Sequence, residues 1–308
     1  MKTRDVHGLF ALAGAFLVTS AYGEITTIPP GLMPGDQYRL VFITKDTTTA
    51  LSTNIADYDA FVTSQANQSA VLASLPTSWR VIGSTAAVSA KVHTSTDDSP
   101  AGETGVAIYR LDGALIASSY DDLWDGTIQN PLYVAQDGSV LDTCCGTWTG
   151  TNIYGVAIPG DELGATDFGV VDGAPNGTGS NWIQTSPYGA ASPQFLYGIS
   201  DVLTVPGEVA IDVKPGSDAA CNGTVPVAAL GSAELDVTQI DPATLLYEGL
   251  SVRTKGNGGP SCSFFDANGD GYIDLVCQYQ DALTDGTLTG QLLDGTYIKG
   301  SDSVCVAH

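Results

Sequence analysis

Residues 266–275 carry oxygen-bearing side chains at the spacing of a metal-binding loop, with Gly271 at position 6, where such a loop turns sharply. Ca²⁺ is a hard cation that takes six to eight oxygen ligands, and alternate positions of a short loop can wrap around one ion. The sequence therefore predicts Ca²⁺ as a cofactor. The predicted ligands, at positions 1, 3, 5, 7 and 9, are Asp266, Asn268, Asp270, Tyr272 (through its backbone carbonyl) and Asp274.

The same residues are also typical of a plain turn, because Asp, Asn and Gly are common where a chain reverses. An EF-hand is excluded, since its position 12 is a bidentate glutamate and Cys277 stands there. The flanking residues 261–265 and 273–279 have the pattern of strands, so the loop is predicted to join a hairpin. It resembles the calcium hairpins of integrin alpha chains, which implies that Asp274 supplies the closing carboxylate. A single copy in a small β domain is typical of a structural ion.

Cysteine positions give a partial disulfide prediction. The chain contains Cys144, Cys145, Cys221, Cys262, Cys277 and Cys305. The last four allow three pairings. Cys262 and Cys277 flank the loop almost symmetrically, so we predict a cross-strand bridge there, which leaves Cys221 to pair with Cys305. The adjacent Cys144 and Cys145 either form a vicinal bridge, stay free or link to another chain.

The start of the chain predicts export. Lys2 and Arg4 precede an apolar run at 8–18, and the small residues of 21–23 fit a cleavage site, so 1–23 is predicted to be a signal peptide. The apolar run is shorter than the ~20 residues of a transmembrane helix. We expect a secreted protein, extracellular or at the cell surface, without membrane insertion, in a compartment where disulfides persist.

The amino-acid composition limits the structural class of the protein and the kinds of partner it can bind. The chain has 11 Lys and Arg against 34 Asp and Glu, a net charge of -23, which excludes nucleic acid because phosphate binding needs clustered cations. The hydrophobic content of 43% is too high for a disordered acidic chain. The 36 Gly and 15 Pro exceed the usual ~12% of residues and predict a turn-rich, mostly β architecture.

Residues 24–205 form the first predicted domain. A β-rich run at 38–44 predicts a strand, and apolar residues at helical spacing predict a helix at 54–68 after a cap at Ser52 or Thr53. Further strands are expected at 106–109 and 195–205, with a Gly-rich region between them.

The order of motifs in this domain resembles the endostatin-type domains of the C-type lectin-like superfamily over most of residues 36–205. The motifs that carry the resemblance are Tyr58-Asp-Ala-Phe-Val62, Val106-Ala-Ile-Tyr109, Leu111-Asp-Gly113, Asp122-Leu-Trp-Asp-Gly126, Thr147-Trp-Thr-Gly150, Asn181-Trp182 and Phe195-Leu-Tyr-Gly-Ile199. The resemblance implies an α+β domain with two sheets and long loops that binds sugars or proteins. The sugar-coordinating triplets of calcium-dependent lectins and the His-rich zinc segment of endostatin are absent, so neither site is carried over.

Residues 206–308 form the second predicted domain. Short strands at 209–213, 225–231, 236–242 and 288–293, separated by turns, predict an all-β sandwich. The strings Asp212-Val-Lys-Pro-Gly-Ser217 and Val225-Pro-Val-Ala are similar to a C-terminal β domain of exported bacterial proteins. That resemblance implies a bacterial source and no catalysis.

Candidate ligand-binding residues lie in the Gly-rich region. Trp124, Trp148 and Trp182 would form a sugar or peptide platform if exposed together, with Asp125 beside the first; the alternative is that each indole lies in the core. Asp121, Asp122 and Asp125 could also supply the paired carboxylates of a glycoside hydrolase, although 34 acids produce such neighbours by composition alone. His93, in a polar run, is predicted to be a solvated loop residue.

These patterns lead to one hypothesis and two alternatives. We expect no enzyme activity but recognition or adhesion, with a carbohydrate or an extracellular protein as ligand and a structural Ca²⁺ site. Loops between Gly126 and Pro193 would carry specificity, because loops on a rigid scaffold often do. The alternatives are a structural subunit of an extracellular assembly, which would self-assemble, and a carboxylate-based glycoside hydrolase.

Overall fold

The computed structural model describes residues 23, 25–97, 105–141, 146–166, 169–215, 223–256, 258–280 and 286–302. The predicted signal peptide, apart from its last residue, lies outside the described residues. The same is true of Cys144, Cys145, Cys221 and Cys305. The described chain is mostly β and forms several sheets.

The strands are β1 (Gln37–Ile43), β2 (Trp79–Val81), β3 (Ala107–Arg110), β4 (Leu115–Ala117), β5 (Thr147–Trp148), β6 (Val170–Gly173), β7 (Pro187–Tyr188), β8 (Tyr197–Ser200), β9 (Leu203–Thr204), β10 (Gly207–Glu208), β11 (Ile211–Val213), β12 (Thr224–Ala229), β13 (Leu246–Tyr247), β14 (Leu250–Ser251), β15 (Cys262–Phe265), β16 (Asp274–Gln280), β17 (Gly286–Gln291) and β18 (Tyr297–Asp302). The helices are α1 (Ile55–Ala66), α2 (Ala70–Ala73), α3 (Ala90–His93) and α4 (Tyr120–Leu123), with 3₁₀ turns at Ser180–Trp182 and Val237–Gln239. Among the described residues, none of these helices has the length and apolar content needed to cross a bilayer.

Strand β1 is the centre of the largest sheet, which has the order β2-β8-β1-β3-β4, with β9 also paired to β1. It runs parallel to β3 and antiparallel to β8 and β9. Leu40 and Phe42 enter one hydrophobic core, whereas Val41 and Ile43 enter another. A continuous apolar run is what a strand needs when both faces of its sheet are covered.

Helix α1 covers one face of this sheet, and it begins later than the sequence predicts. The cap is Asn54, whose side chain accepts a hydrogen bond from the backbone N–H of Ala56 at 3.3 Å. Tyr58 and Val62 are buried one turn apart and pack into the core that contains Phe42. A second sheet of this region, with three strands in the order β5-β6-β7, lies in the Gly-rich segment.

After Pro206 the chain forms two further sheets, a four-stranded one (β11-β12-β16-β15) and a five-stranded one (β10-β18-β17-β13-β14). Their apolar side chains share one core, in which Tyr247 and Tyr279 lie 5.5 Å apart between ring centroids. This arrangement is sandwich-like. The prediction of a strand at 236–242 is wrong. Asp236 accepts a hydrogen bond from the N–H of Thr238 at 3.0 Å and caps a 3₁₀ turn there.

Candidate metal loop and binding surfaces

The candidate metal loop connects the antiparallel strands β15 and β16. Cys262 stands directly opposite Cys277, and Phe265 stands opposite Asp274, so residues 266–273 form the connection. The predicted disulfide between Cys262 and Cys277 is present. The register of β15 and β16 and the disulfide between them together fix where the loop begins and ends.

Asp266 organises the first half of the loop. Its two carboxylate oxygens accept hydrogen bonds from the backbone N–H groups of Gly269, at 2.7 Å, and Gly271, at 3.0 Å. Both glycines have positive φ angles, +80° and +92°, which residues with a Cβ seldom adopt. The glycine at position 6 is therefore a conformational requirement of this loop.

Asp270 is held in its ionised form. Its Oδ1 accepts a hydrogen bond from the N–H of Tyr272 at 2.8 Å, and its Oδ2 accepts one from the Asn268 carboxamide at 2.9 Å. The backbone bond from Tyr272, followed by the bond from Asn268, lowers the pKa of this exposed carboxyl. An ionised carboxylate is the form that a cation needs.

Asp274 differs from the other predicted ligands because it is fully buried. Its Oδ2 accepts a hydrogen bond from Ala267 N–H at 2.7 Å, and its Oδ1 accepts one from Gly231 N–H at 2.8 Å. Gly231 lies against the hairpin so closely that a Cβ there would stand 2.2 Å from the carbonyl oxygen of Ile273. Sequence analysis missed Gly231, since no local pattern links it to a loop 35 or more residues away.

The predicted ligands of the loop are oxygen donors, the kind of ligand that a hard cation takes. Among the described residues, no group of three or more His, Cys, Asp and Glu side chains could hold a metal ion. A Ca²⁺ ion would therefore need the carboxamide oxygen of Asn268 and the carbonyl of Tyr272 in addition to carboxylates. An ionised carboxylate offers about four lone-pair sites, so the hydrogen bonds to Asp266 and Asp270 leave acceptor capacity for an ion. Bound there, the ion would neutralise the loop's negative charge.

The three tryptophans proposed as a ligand platform lie in the core, which corrects that prediction. Trp148 and Trp182 are fully buried, and Trp124 is nearly so. The rings of Trp124 and Trp182 pack 6.0 Å apart, and the Trp148 indole donates to the carbonyl of Thr48. Large aromatic rings bury much apolar area, which here stabilises the loop-rich region from inside. Asp125 is exposed, and its Oδ1 accepts hydrogen bonds from Thr127.

Of the three carboxylates proposed for hydrolysis, Asp122 is fixed by several hydrogen bonds. Asp122 accepts hydrogen bonds from the N–H and hydroxyl of Ser118, at 2.6 and 2.8 Å, and from Gln129. The bond from Ser118 N–H is the main cause of its lowered pKa. A general acid needs a raised pKa instead. Asp121 and Asp125 are exposed.

His93 is not the solvated loop residue that the sequence predicts. It ends helix α3, and its Nε2 lies 2.8 Å from Oδ1 of Asp59 on helix α1. The same oxygen accepts a hydrogen bond from the N–H of Val81. Asp59 thus joins three elements, and its partner lies 34 residues away, beyond the reach of local patterns.

Two exposed tyrosines that the sequence analysis missed lie in the Gly-rich region. Tyr154 and Tyr188 are 60% and 57% exposed. Asn152 accepts hydrogen bonds from the N–H groups of Tyr154 and Val156, at 2.9 and 3.1 Å, which closes a turn. Gly155, at φ +72°, lies over Trp124, where a Cβ would stand 2.8 Å from the indole ring. Trp124 therefore supports the turn that exposes Tyr154.

Comparison with protein-family models gives no match for this chain. Comparison with curated proteins gives none either.

Proposed function

We propose that this is a secreted, non-catalytic recognition or adhesion protein whose 266–274 loop binds a structural Ca²⁺. In this proposal residues 24–205 form a C-type lectin-like α+β domain and residues 206–308 an all-β sandwich. The ligand is a carbohydrate or an extracellular protein, met outside the cell or at its surface.

The observation that carries the calcium assignment is the combination of a buried, fixed Asp274 with exposed oxygen ligands on the same short loop. Asp274 is anchored by two backbone N–H groups, so one ligand would already be in place before an ion arrives. Asp266 and Asp270 remain open to solvent, from which Ca²⁺ would enter. Without the ion, their like charges oppose closure of the loop.

The recognition role is supported by two exposed aromatic side chains of the lectin-like part, one in a turn and one on strand β7. Tyr154 and Tyr188 present large aromatic surfaces, and Tyr side chains offer both an apolar face and a hydroxyl. The turn below Tyr154 is rigid because Asn152 closes it and Trp124 supports it. A rigid scaffold that presents loop residues is a common design of binding proteins.

The calcium assignment is tested by calorimetric titration and thermal unfolding of the wild type and of Asp270→Ala. We expect Ca²⁺ to raise the melting temperature of the wild type and to leave that of the variant unchanged. Asp294→Ala is the matched control, because Asp294 is also exposed and also accepts a hydrogen bond from the N–H two residues ahead. An unchanged Ca²⁺ response in Asp270→Ala contradicts the assignment.

Recognition is tested with arrays of glycans and of extracellular matrix proteins, using the wild type and the double variant Tyr154→Ala/Tyr188→Ala. We expect a ligand whose binding the double variant loses, while Met33→Ala, another exposed apolar position, keeps it. Large polymers on size exclusion in calcium, with blank arrays, would instead favour a structural subunit. Loss of polysaccharide mass on incubation would favour a hydrolase.

A further inference from the structure

We propose a second binding site, on the outer face of the four-stranded sheet, that takes a neutral oligosaccharide. This face holds a cleft of about 390 Å³. That volume lies within the roughly 300–1,000 Å³ of small-molecule sites. Its lining includes Pro226, Ser261, Ser263, Phe265, Val276 and Gln278.

The register of the hairpin explains why these side chains share one face. Cys262 and Cys277 point to the core side, so the alternate residues of both strands point away from it. Ser263 pairs with Val276, and Gln278 pairs with Pro226 of β12. The cleft therefore lies on the outer face, opposite the disulfide.

Three polar side chains in the cleft are free to bind a ligand. The hydroxyls of Ser261 and Ser263 and the carboxamide of Gln278 make no hydrogen bond to another side chain or backbone group of the described residues. A hydroxyl both donates and accepts, and a carboxamide provides two donors and an acceptor. This is the mixture of groups that matches the hydroxyls of a sugar, each of which also donates and accepts.

An apolar surface accompanies these polar groups. The Phe265 side chain is 48% exposed and lines the cleft together with Pro226 and the buried Val276. Sugar rings have C–H faces that pack on aromatic rings while their hydroxyls bind at the edges. Sites of this kind combine an apolar lining with a few placed polar groups.

The charge of the residues around the cleft distinguishes a neutral ligand from a charged one. No Asp, Glu, Lys or Arg is among the described residues that line the cleft, so none of these residues offers a charged partner to an ion. The net charge of -23 also disfavours acidic polymers such as sulfated or uronic-acid glycans. The cleft thus suits a neutral oligosaccharide. This inference goes beyond the proposed function, because it requires neither bound Ca²⁺ nor the exposed Tyr154 and Tyr188.

The test uses the full chain on an array of neutral oligosaccharides, acidic oligosaccharides and neutral peptides, in calcium and again in EGTA. We expect capture by neutral oligosaccharides under both conditions. Phe265→Ala and Gln278→Ala should each lower the affinity for the captured sugar at least about tenfold, as measured by calorimetry. Phe264→Ala is the matched control, since that ring is 50% exposed on the same strand but faces the other way; its affinity should stay within about twofold of the wild type.

Four results would overturn the proposal: no neutral sugar captured, capture of peptides alone, equal losses in Phe264→Ala and Phe265→Ala, or binding that disappears in EGTA. Gln278→Ala keeps the test decisive if Phe265→Ala does not fold. The melting temperature of each sample is recorded with and without calcium. A blank array with an intact calcium shift therefore rejects this site while leaving the calcium assignment standing.

Discussion

Asp274 and Gly231 are joined by a hydrogen bond of 2.8 Å from the Gly231 N–H to the buried carboxylate, across 43 residues of sequence. The second carboxylate oxygen accepts the N–H of Ala267, inside the candidate metal loop. One side chain therefore ties the loop to the segment that follows β12. Loss of this bond should affect the stability of the sandwich-like region even in the absence of a metal ion.

Asp274→Asn should destabilise the protein by roughly 1–3 kcal/mol, because an amide N–H₂ would face a backbone N–H and leave a buried donor unsatisfied. Urea unfolding in EGTA measures this effect without any contribution from calcium. Asp294→Asn, at an exposed turn, is the control and should change little. Equal unfolding midpoints for Asp274→Asn and the wild type would show that the buried bond is unimportant.

Gly231→Ala should also destabilise, by roughly 1–3 kcal/mol, since overpacking forces the surrounding backbone to move. The added Cβ would stand 2.2 Å from the carbonyl oxygen of Ile273, next to Asp274. Gly256→Ala is the control, because a Cβ there meets nothing within 4 Å. Thermal unfolding compares the two variants, and a Gly231→Ala protein as stable as Gly256→Ala would contradict the close approach.

Removal of the disulfide in Cys262→Ser/Cys277→Ser should lower the free energy of unfolding by about 3 kcal/mol, the value expected for a closed loop of about 15 residues. The calcium dissociation constant of the loop should rise as well, because the strands that hold its ends are then free to separate. Denaturant unfolding and calcium titration measure the two effects. A variant with the wild-type midpoint would show that the strand pairing alone fixes the hairpin.

Asp172, on β6, should make stability fall as pH rises. Burial raises the pKa of its carboxyl, so the folded state holds the proton above the unfolded pKa of about 3.9. That contribution is complete below pH 4 and is lost as pH rises through the folded pKa. Asp172→Asn should accordingly be more stable than the wild type at pH 7, and the advantage should shrink towards pH 3 in melting curves.

Asp122→Asn should change the pH dependence of stability in the opposite direction. The hydrogen bonds from Ser118 lower the pKa of Asp122, so its contribution is present above about pH 4 and is lost as pH falls through the folded pKa. This variant should be less stable than the wild type at pH 7, with the difference vanishing in acid. Parallel pH dependences for the two variants would contradict both assignments.

Elements with a strong local pattern were predictable from sequence. The β-rich run of β1, the apolar spacing of α1 and the flanks of the 266–274 loop place those elements within a few residues of their observed bounds. The Cys262–Cys277 bridge followed from symmetry about the loop. In each case the interactions that form the element join residues close together in the chain, so their pattern can be read from the sequence.

Features that depend on distant partners were not predictable. The burial of Asp274 depends on Gly231, and the position of His93 depends on Asp59, both far away in sequence. Tryptophan spacing likewise could not distinguish a platform from a core, because the packing of Trp124 against Trp182 is a property of the fold. The 3₁₀ turn after Asp236 was missed because side-chain capping outweighed strand propensity there.

Strand β1 sits between partners that come much later in the chain, β3 from Ala107 and β8 and β9 from Tyr197 to Thr204. Contacts of such long sequence separation make folding slow, because a large loop must close before they can form. A ribosome or a translocation channel that releases this chain from its N-terminus cannot deliver a complete central sheet until Thr204 has emerged. Before that point β1, with its apolar Leu-Val-Phe-Ile run, lacks its full set of antiparallel partners, and its unpaired edge is a target for a holding chaperone.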